Sequence, residues 1–109
     1  MSRIQKRFNI QAHLVEAVNA RALANGLSKS EVVNRALATF FADLPSAVVT
    51  LLGNVPQTTA PVMAGYMLDS VLLARMDEQA GRLYLSREQF LRLALDYYLK
   101  YCEPLAEGA

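Results

Sequence analysis

A pattern of apolar residues occurs twice in the chain, 58 residues apart, and it constrains the fold more than any other feature. Both copies have the spacing of one face of a helix, followed by a second helical stripe. The corresponding pairs are Leu14–Leu72, Val18–Met76, Ala22–Ala80, Val32–Phe90, Val33–Leu91, Ala36–Ala94, Leu37–Leu95 and Phe40–Tyr98. Polar surface positions do not correspond in this way. The pattern therefore indicates an internal repeat of strand–helix–helix units.

The helices of the first unit have clear start and stop signals. The pattern predicts one helix over Ala12–Asn25, which ends at Gly26 because glycine adopts positive φ without a Cβ penalty. Ser28–Glu31 fits a capping box, in which the serine hydroxyl and the glutamate carboxylate each accept a backbone N–H. A second helix is predicted from about Lys29–Ala42, followed by Pro45.

The second unit repeats these signals. Val62–Leu68 is short and can be extended, and Asp69 or Ser70 can cap the helix that follows. Ser86–Gln89 is a second capping box, and Pro104 stops the last helix. We divide the chain into residues 1–44, a linker over 45–61 with a short apolar turn (47–52, closed by Gly-Asn), residues 62–103, and a tail over 104–109.

The segment Arg3–Asn9 precedes the first helix and predicts a β-strand with two different faces. Side chains alternate at a period of two in a strand. One face carries Ile4, Phe8 and Ile10, and Lys6 interrupts it. The opposite face carries hydrogen-bonding side chains suited to base edges: Gln5, Arg7 and Asn9. A solvated edge strand is the simpler alternative.

Composition restricts the possible functions. The only cysteine is Cys102 and the only histidine is His13, which excludes an intramolecular disulfide and a Cys/His zinc site within one chain. The sequence has no nucleophile motif, paired-carboxylate signature or glycine-rich phosphate loop, so we expect neither an enzyme nor a cofactor. No apolar run reaches the roughly 18 residues of a membrane span, and no signal peptide is recognisable. We therefore expect a cytoplasmic protein.

Charge and hydropathy differ from those of a typical small monomer. The net charge is +1, but residues 1–55 carry six basic and three acidic residues, whereas residues 56–109 carry five basic and seven acidic. A polyanion should therefore prefer the first half. The apolar fraction of 53% and the mean hydropathy of +0.17 are high. This excess suggests an oligomer or an almost wholly helical core.

Several of these features together resemble the ribbon-helix-helix (MetJ/Arc/CopG-type) DNA-binding superfamily. They are the alternating Arg7–Ile10, the Asn25-Gly26 helix end, and Ser28-x-Ser30-Glu-Val-Val-Asn-Arg-Ala-Leu37. The resemblance covers roughly residues 3–44 and, more weakly, residues 62–103. It implies a mainly α fold in which two strands form an antiparallel ribbon that enters the major groove, with the helices interlocked beneath it.

The resemblance also implies roles for individual residues. Gln5, Arg7 and Asn9 would read bases. Phosphates would be bound at the start of the second helix and by nearby side chains, which are Arg3, Lys6, Ser28, Lys29, Ser30 and, in the second unit, Ser86 and Arg87.

The second unit departs from the family pattern on its reading strand. At the 58-residue offset, Met63, Gly65 and Met67 take the places of the three base-reading residues, and none of them is a good base-edge donor. We infer that the second unit keeps the fold and lacks most direct readout. The two units can pair within one chain as a pseudo-dimer, or each can pair with its copy in a second chain.

These observations predict sequence-specific binding of double-stranded DNA. A transcriptional repressor that occupies an operator and an accessory factor of plasmid transfer (relaxosome type) are the two variants. The alternative is a protein-interaction module, similar to an antitoxin, that holds a protein partner through the second unit or residues 46–56.

Overall fold

The computed structural model describes residues 2–46 and 59–101. Its elements, in chain order, are β1 (Arg3–Gln11), α1 (Ala12–Asn25), α2 (Lys29–Asp43), β2 (Pro61–Asp69), α3 (Ser70–Arg82) and α4 (Arg87–Tyr101). The expected apolar turn at 47–52 with its Gly-Asn close, most of the linker, Cys102 and the tail lie outside the described residues. None of these four helices is long and apolar enough to cross a membrane.

The two strands pair with each other in one antiparallel ribbon, although 49 residues separate them along the chain. The register places Arg7 opposite Gly65 at the centre of the ribbon. These two residues are themselves 58 positions apart, and so are the first residues of corresponding elements: Arg3 and Pro61, Ala12 and Ser70, Lys29 and Arg87. The mainly helical fold expected from the sequence, with a two-stranded antiparallel sheet, is therefore present.

One face of the ribbon lies on the helices. Its buried residues are almost inaccessible to solvent and come from both strands: Phe8, Ile10, Tyr66 and Leu68. Ile4 was expected on this apolar face but is 40% exposed, and Val62 at the corresponding position of β2 is 42% exposed. Both are second in their strands. Burial increases along each strand toward the end that leads into a helix.

The core is completed by α2 and α4, whose buried residues include most of the predicted helical stripes and also Leu93 and Asp96 of α4. The fully buried side chains of these two helices include Val32, Leu37, Phe40, Phe90, Leu91 and Leu95. Tyr98 of α4 and Leu72 of α3, both in the predicted stripes, are only partly buried. The rings of Phe40 and Phe90 meet edge to face, with centroids 5.3 Å apart and planes at 81°. Such a pair contributes about 0.5–1.5 kcal/mol beyond burial of its area.

The helix caps agree with the sequence in all but one contact. Gly26 is left-handed, with φ of 66°, and the Ser28 hydroxyl accepts the Glu31 N–H at 3.0 Å. The second capping box is complete, since Ser86 and Gln89 bond each other reciprocally at 3.1 and 2.7 Å. In the first box, the expectation that Glu31 reaches back to Ser28 is wrong. The Glu31 carboxylate instead binds two arginines, as described below.

Removing the Tyr66 hydroxyl should stabilise the protein. Tyr66 is 2% exposed, and its hydroxyl has no hydrogen-bond partner among the described residues. Burial without a partner also raises the pKa of this phenol. Tyr66→Phe should raise the free energy of unfolding by about 1 kcal/mol, because a buried unsatisfied group is removed without creating a cavity. Urea denaturation measures this change, and a clear loss of stability would show that the hydroxyl has a partner.

Candidate nucleic-acid interface

The solvent-facing side of the ribbon brings Gln5, Arg7 and Asn9 together. All three are exposed, and they alternate with residues of the inner face. The Ser30 hydroxyl accepts the Met67 N–H, so that N–H points away from β1. The outward residues therefore form the non-hydrogen-bonded pairs of the ladder, in which opposing Cα atoms are only about 4.5 Å apart. Side chains on this face consequently lie close to those of the opposite strand.

Gly65 provides space at the centre of this face. A Cβ atom at Gly65 would lie 2.7 Å from the Gln5 Nε2 atom and 3.8 Å from the Arg7 Cγ atom. The Gln5 amide therefore lies over the backbone of β2, in space that any other residue at position 65 would fill. The sequence showed only that Gly65 is a poor base-edge donor; the space that it leaves for Gln5 depends on the strand register.

The same face is polar on β1 and apolar on β2. Met67 is opposite Gln5, and Met63 is opposite Asn9. The two methionines are 39% and 62% exposed, respectively. On the outer face, β1 therefore supplies hydrogen-bonding groups and β2 supplies thioether side chains.

Asn34 ties α2 to the outer edge of β2. Its Nδ2 group donates to the Met67 carbonyl at 2.9 Å and to the Ser30 carbonyl at 2.8 Å, and its Oδ1 atom accepts the Asp69 N–H at 2.8 Å. Ser30 adds the bond to the Met67 N–H, also at 2.8 Å. Sequence reasoning did not identify this role of Asn34, which is 5% exposed. Its signal was an amide directly after Val32 and Val33, at the edge of the predicted apolar stripe.

The start of α2 lies beside the ribbon centre. An open groove of about 450 Å³ is lined by the end of α1, by Ser28, Lys29 and Ser30, and by Gly65. Lys29 is exposed and makes no ion pair with any described residue. Helix N-termini attract anions through their free N–H groups and the helix dipole. The groove therefore places an anion-attracting helix start next to the outward ribbon face.

Two of the predicted phosphate-binding cations are already held in ion pairs. The Arg3 Nη2 atom is 2.9 Å from the Glu31 Oε1 atom, and Glu31 also pairs with Arg35 at 3.3 Å. Arg87 binds Asp77 through two bonds of 2.8 Å, and this contact raises the pKa of the guanidinium.

Lys6 and Ser86 are the remaining residues predicted to bind phosphate. Lys6 is on the inner side and half-buried, so it does not share the face of Gln5, Arg7 and Asn9. The Ser86 hydroxyl accepts the Gln89 N–H.

Within residues 2–46 and 59–101, no group of three or more His, Cys, Asp or Glu residues could hold a metal ion.

Comparisons with protein-family models, curated proteins and solved structures found no match to this chain.

Replacing Asn34 should destabilise the ribbon. Asn34→Ala removes three hydrogen bonds and leaves buried backbone groups of β2 unpaired, which should lower the free energy of unfolding by about 2–3 kcal/mol. Arg92, 58 positions later, is the matched control, since its Nε atom has no partner among the described residues. Arg92→Ala should cost less than about 1 kcal/mol. Equal losses in urea denaturation would contradict the role given to Asn34.

The ion pair of Glu31 should make stability depend on pH in acid. The Arg3 hydrogen bond is the main cause of the lowered Glu31 pKa, against a usual value of 4.5. The pair therefore contributes fully above about pH 4.5, and its contribution is lost as the pH falls through the lower native pKa. The difference in unfolding free energy between wild type and Glu31→Gln should shrink over this range, and shrink less in an Arg3→Gln background. A difference independent of pH would contradict this.

Proposed function

We propose that this protein binds double-stranded DNA sequence-specifically by placing the outer face of its ribbon in the major groove. The observation that carries the proposal is the joint exposure of Gln5, Arg7 and Asn9 on a ribbon whose other face is buried. The major groove, about 12 Å wide, admits a two-stranded ribbon. Helices packed against the inner face hold these side chains in a fixed arrangement.

The three side chains have the chemistry of base recognition. Arginine can donate two hydrogen bonds to guanine, and glutamine or asparagine can bond both the N6 and N7 groups of adenine. Each good bidentate pair discriminates against a wrong base by about 1–3 kcal/mol. Arg7 is at the ribbon centre and forms no ion pair with a described residue, so its guanidinium is available for such a contact.

Phosphate contacts would come from the groove beside the ribbon. Ser28, Lys29 and Ser30 line it, and Lys29 supplies a positive charge at the start of α2. A phosphate bound there would position the ribbon without reading sequence. The excess of basic residues in the first half of the chain supports the same orientation.

We interpret the fold as two ribbon-helix-helix units in one chain, which together take the place of a dimer. The common 58-residue interval between corresponding elements supports this interpretation, as does the pairing of Arg7 with Gly65 at the centre. On this basis, we propose a transcriptional repressor or a plasmid-transfer accessory factor as the biological role.

A protein-interaction module is the second candidate. Apolar side chains at the start of β2 and α3 are exposed, and Met63 and Val71 are each 62% exposed. A protein partner could cover them, as an antitoxin-like function requires.

Selection from a library of random duplexes tests the proposed function. Wild-type protein should enrich a defined site, and its binding should weaken with salt. Arg7→Ala should lose about tenfold or more of the preference at particular base pairs. Lys29→Ala should weaken binding to every sequence equally and reduce the salt slope by about 1.

Lys100→Gln is the matched control, because it removes a cation from the C-terminal end of α4. Since Lys100 pairs with the buried Asp96, the control is measured below its own thermal midpoint. This variant should bind the selected duplex as wild type does. Enrichment of no sequence would overturn the proposal, and co-purification of a stoichiometric protein partner would then favour the interaction module.

A further inference from the structure

We propose that the ribbon reads a site without two-fold symmetry, in which hydrogen-bonding base edges face β1 and thymine methyl groups face β2. This inference rests on the proposed function and specifies its target. It assigns Met63 and Met67 as contacts to bases, and Gly65 as a residue that determines specificity.

The two strands of the ribbon differ in their outward side chains. In a ribbon of two identical strands, each outward side chain has an identical partner related by the two-fold axis, and such a ribbon suits a palindromic site. Here the cross-strand pairs are Gln5–Met67, Arg7–Gly65 and Asn9–Met63. Every pair joins a hydrogen-bonding side chain on β1 to one without a strong donor on β2. The ribbon therefore cannot make the same contacts with two identical half-sites.

The Gln5 amide lies across the ribbon, over Gly65. Its Nε2 atom is 2.7 Å from the point that a Cβ atom of residue 65 would occupy, so the amide extends across the ribbon toward β2. A side chain at position 65 would displace it. Gly65 thus gives the Gln5 side chain of β1 access to base edges at the ribbon midline. β1 contains no glycine that would give a side chain of β2 the same access.

Met63 and Met67 have side chains suited to an apolar contact. They are 62% and 39% exposed on the face that enters the groove in the proposed function. A thioether is flexible, apolar and only a weak acceptor. The apolar group that base pairs present in the major groove is the C5-methyl of thymine. Contact with these methyl groups is therefore the readout that suits Met63 and Met67.

Thymine-to-uracil substitution in the selected duplex tests this inference, because it removes only the methyl group. The base pairs under β1 are identified as those at which Gln5→Ala or Asn9→Ala changes the base preference. Because Met67 is opposite Gln5 and Met63 is opposite Asn9, the thymines under β2 lie beside these base pairs. Each contacted thymine under β2 replaced by uracil should lower affinity about fourfold, the effect of burying one methyl-sized group. Uracil under β1 should have no such effect.

Three variants test the residues. Met67→Ala should reduce the penalty of uracil beside the base pair read by Gln5, and Met63→Ala that beside the base pair read by Asn9. Gly65→Ala should reduce the preference at the base pair read by Gln5 to the level of Gln5→Ala. Its far-UV circular dichroism and thermal midpoint, compared with wild type, show whether the ribbon is intact.

The outcomes separate this inference from the proposed function. A selected site without symmetry, with a uracil penalty confined to the thymines under β2, supports it. A palindromic site, or equal affinity for thymine and uracil duplexes, overturns the inference and leaves DNA binding in place. Binding to no duplex overturns both.

Discussion

The pairing of β1 with β2 is the interaction on which the rest of the structure depends. A two-stranded ribbon is marginal in water unless one of its faces is packed against other elements. Here Phe8, Ile10, Tyr66 and Leu68 supply that buried face, and the helices that follow each strand cover it. Each half of the chain therefore provides one strand and part of the core that supports the other. The same pairing creates the outer face, because strand alternation directs the intervening side chains into solvent.

The attachment of α2 to β2 gives this ribbon a defined edge. Ser30 and Asn34 bind the backbone of Met67 and Asp69, so the start of α2 is fixed relative to the ribbon. Lys29 is the first residue of α2 and lines the same groove as Gly65, so it is held close to the outer face. The corresponding residues of the second half are Glu88 and Arg92, which have different hydrogen-bonding groups. The two sides of the molecule thus differ in their helix starts as well as in the outward side chains of their strands.

Much of this arrangement was predictable because its causes are local. Helix ends follow from Gly26 and the capping serines, and the inner and outer ribbon faces follow from alternation in Arg3–Asn9. Contacts between distant segments were not predictable in this way. The Glu31 carboxylate binds Arg3 instead of completing its capping box, because folding brings the strand beside α2. The role of Gly65 depends on the register that places it opposite Arg7, which no local pattern specifies.

The central claim is that the outer face of the ribbon contacts bases, and side-chain NMR during titration with the selected duplex tests it most directly. The side-chain amides of Gln5 and Asn9 and the guanidinium of Arg7 should shift strongly and saturate at one duplex per ribbon. The Asn34 amide, buried and held by three hydrogen bonds, should shift much less and serves as an internal reference. Shifts confined to α3 and α4, with the three ribbon side chains unchanged, would contradict the account.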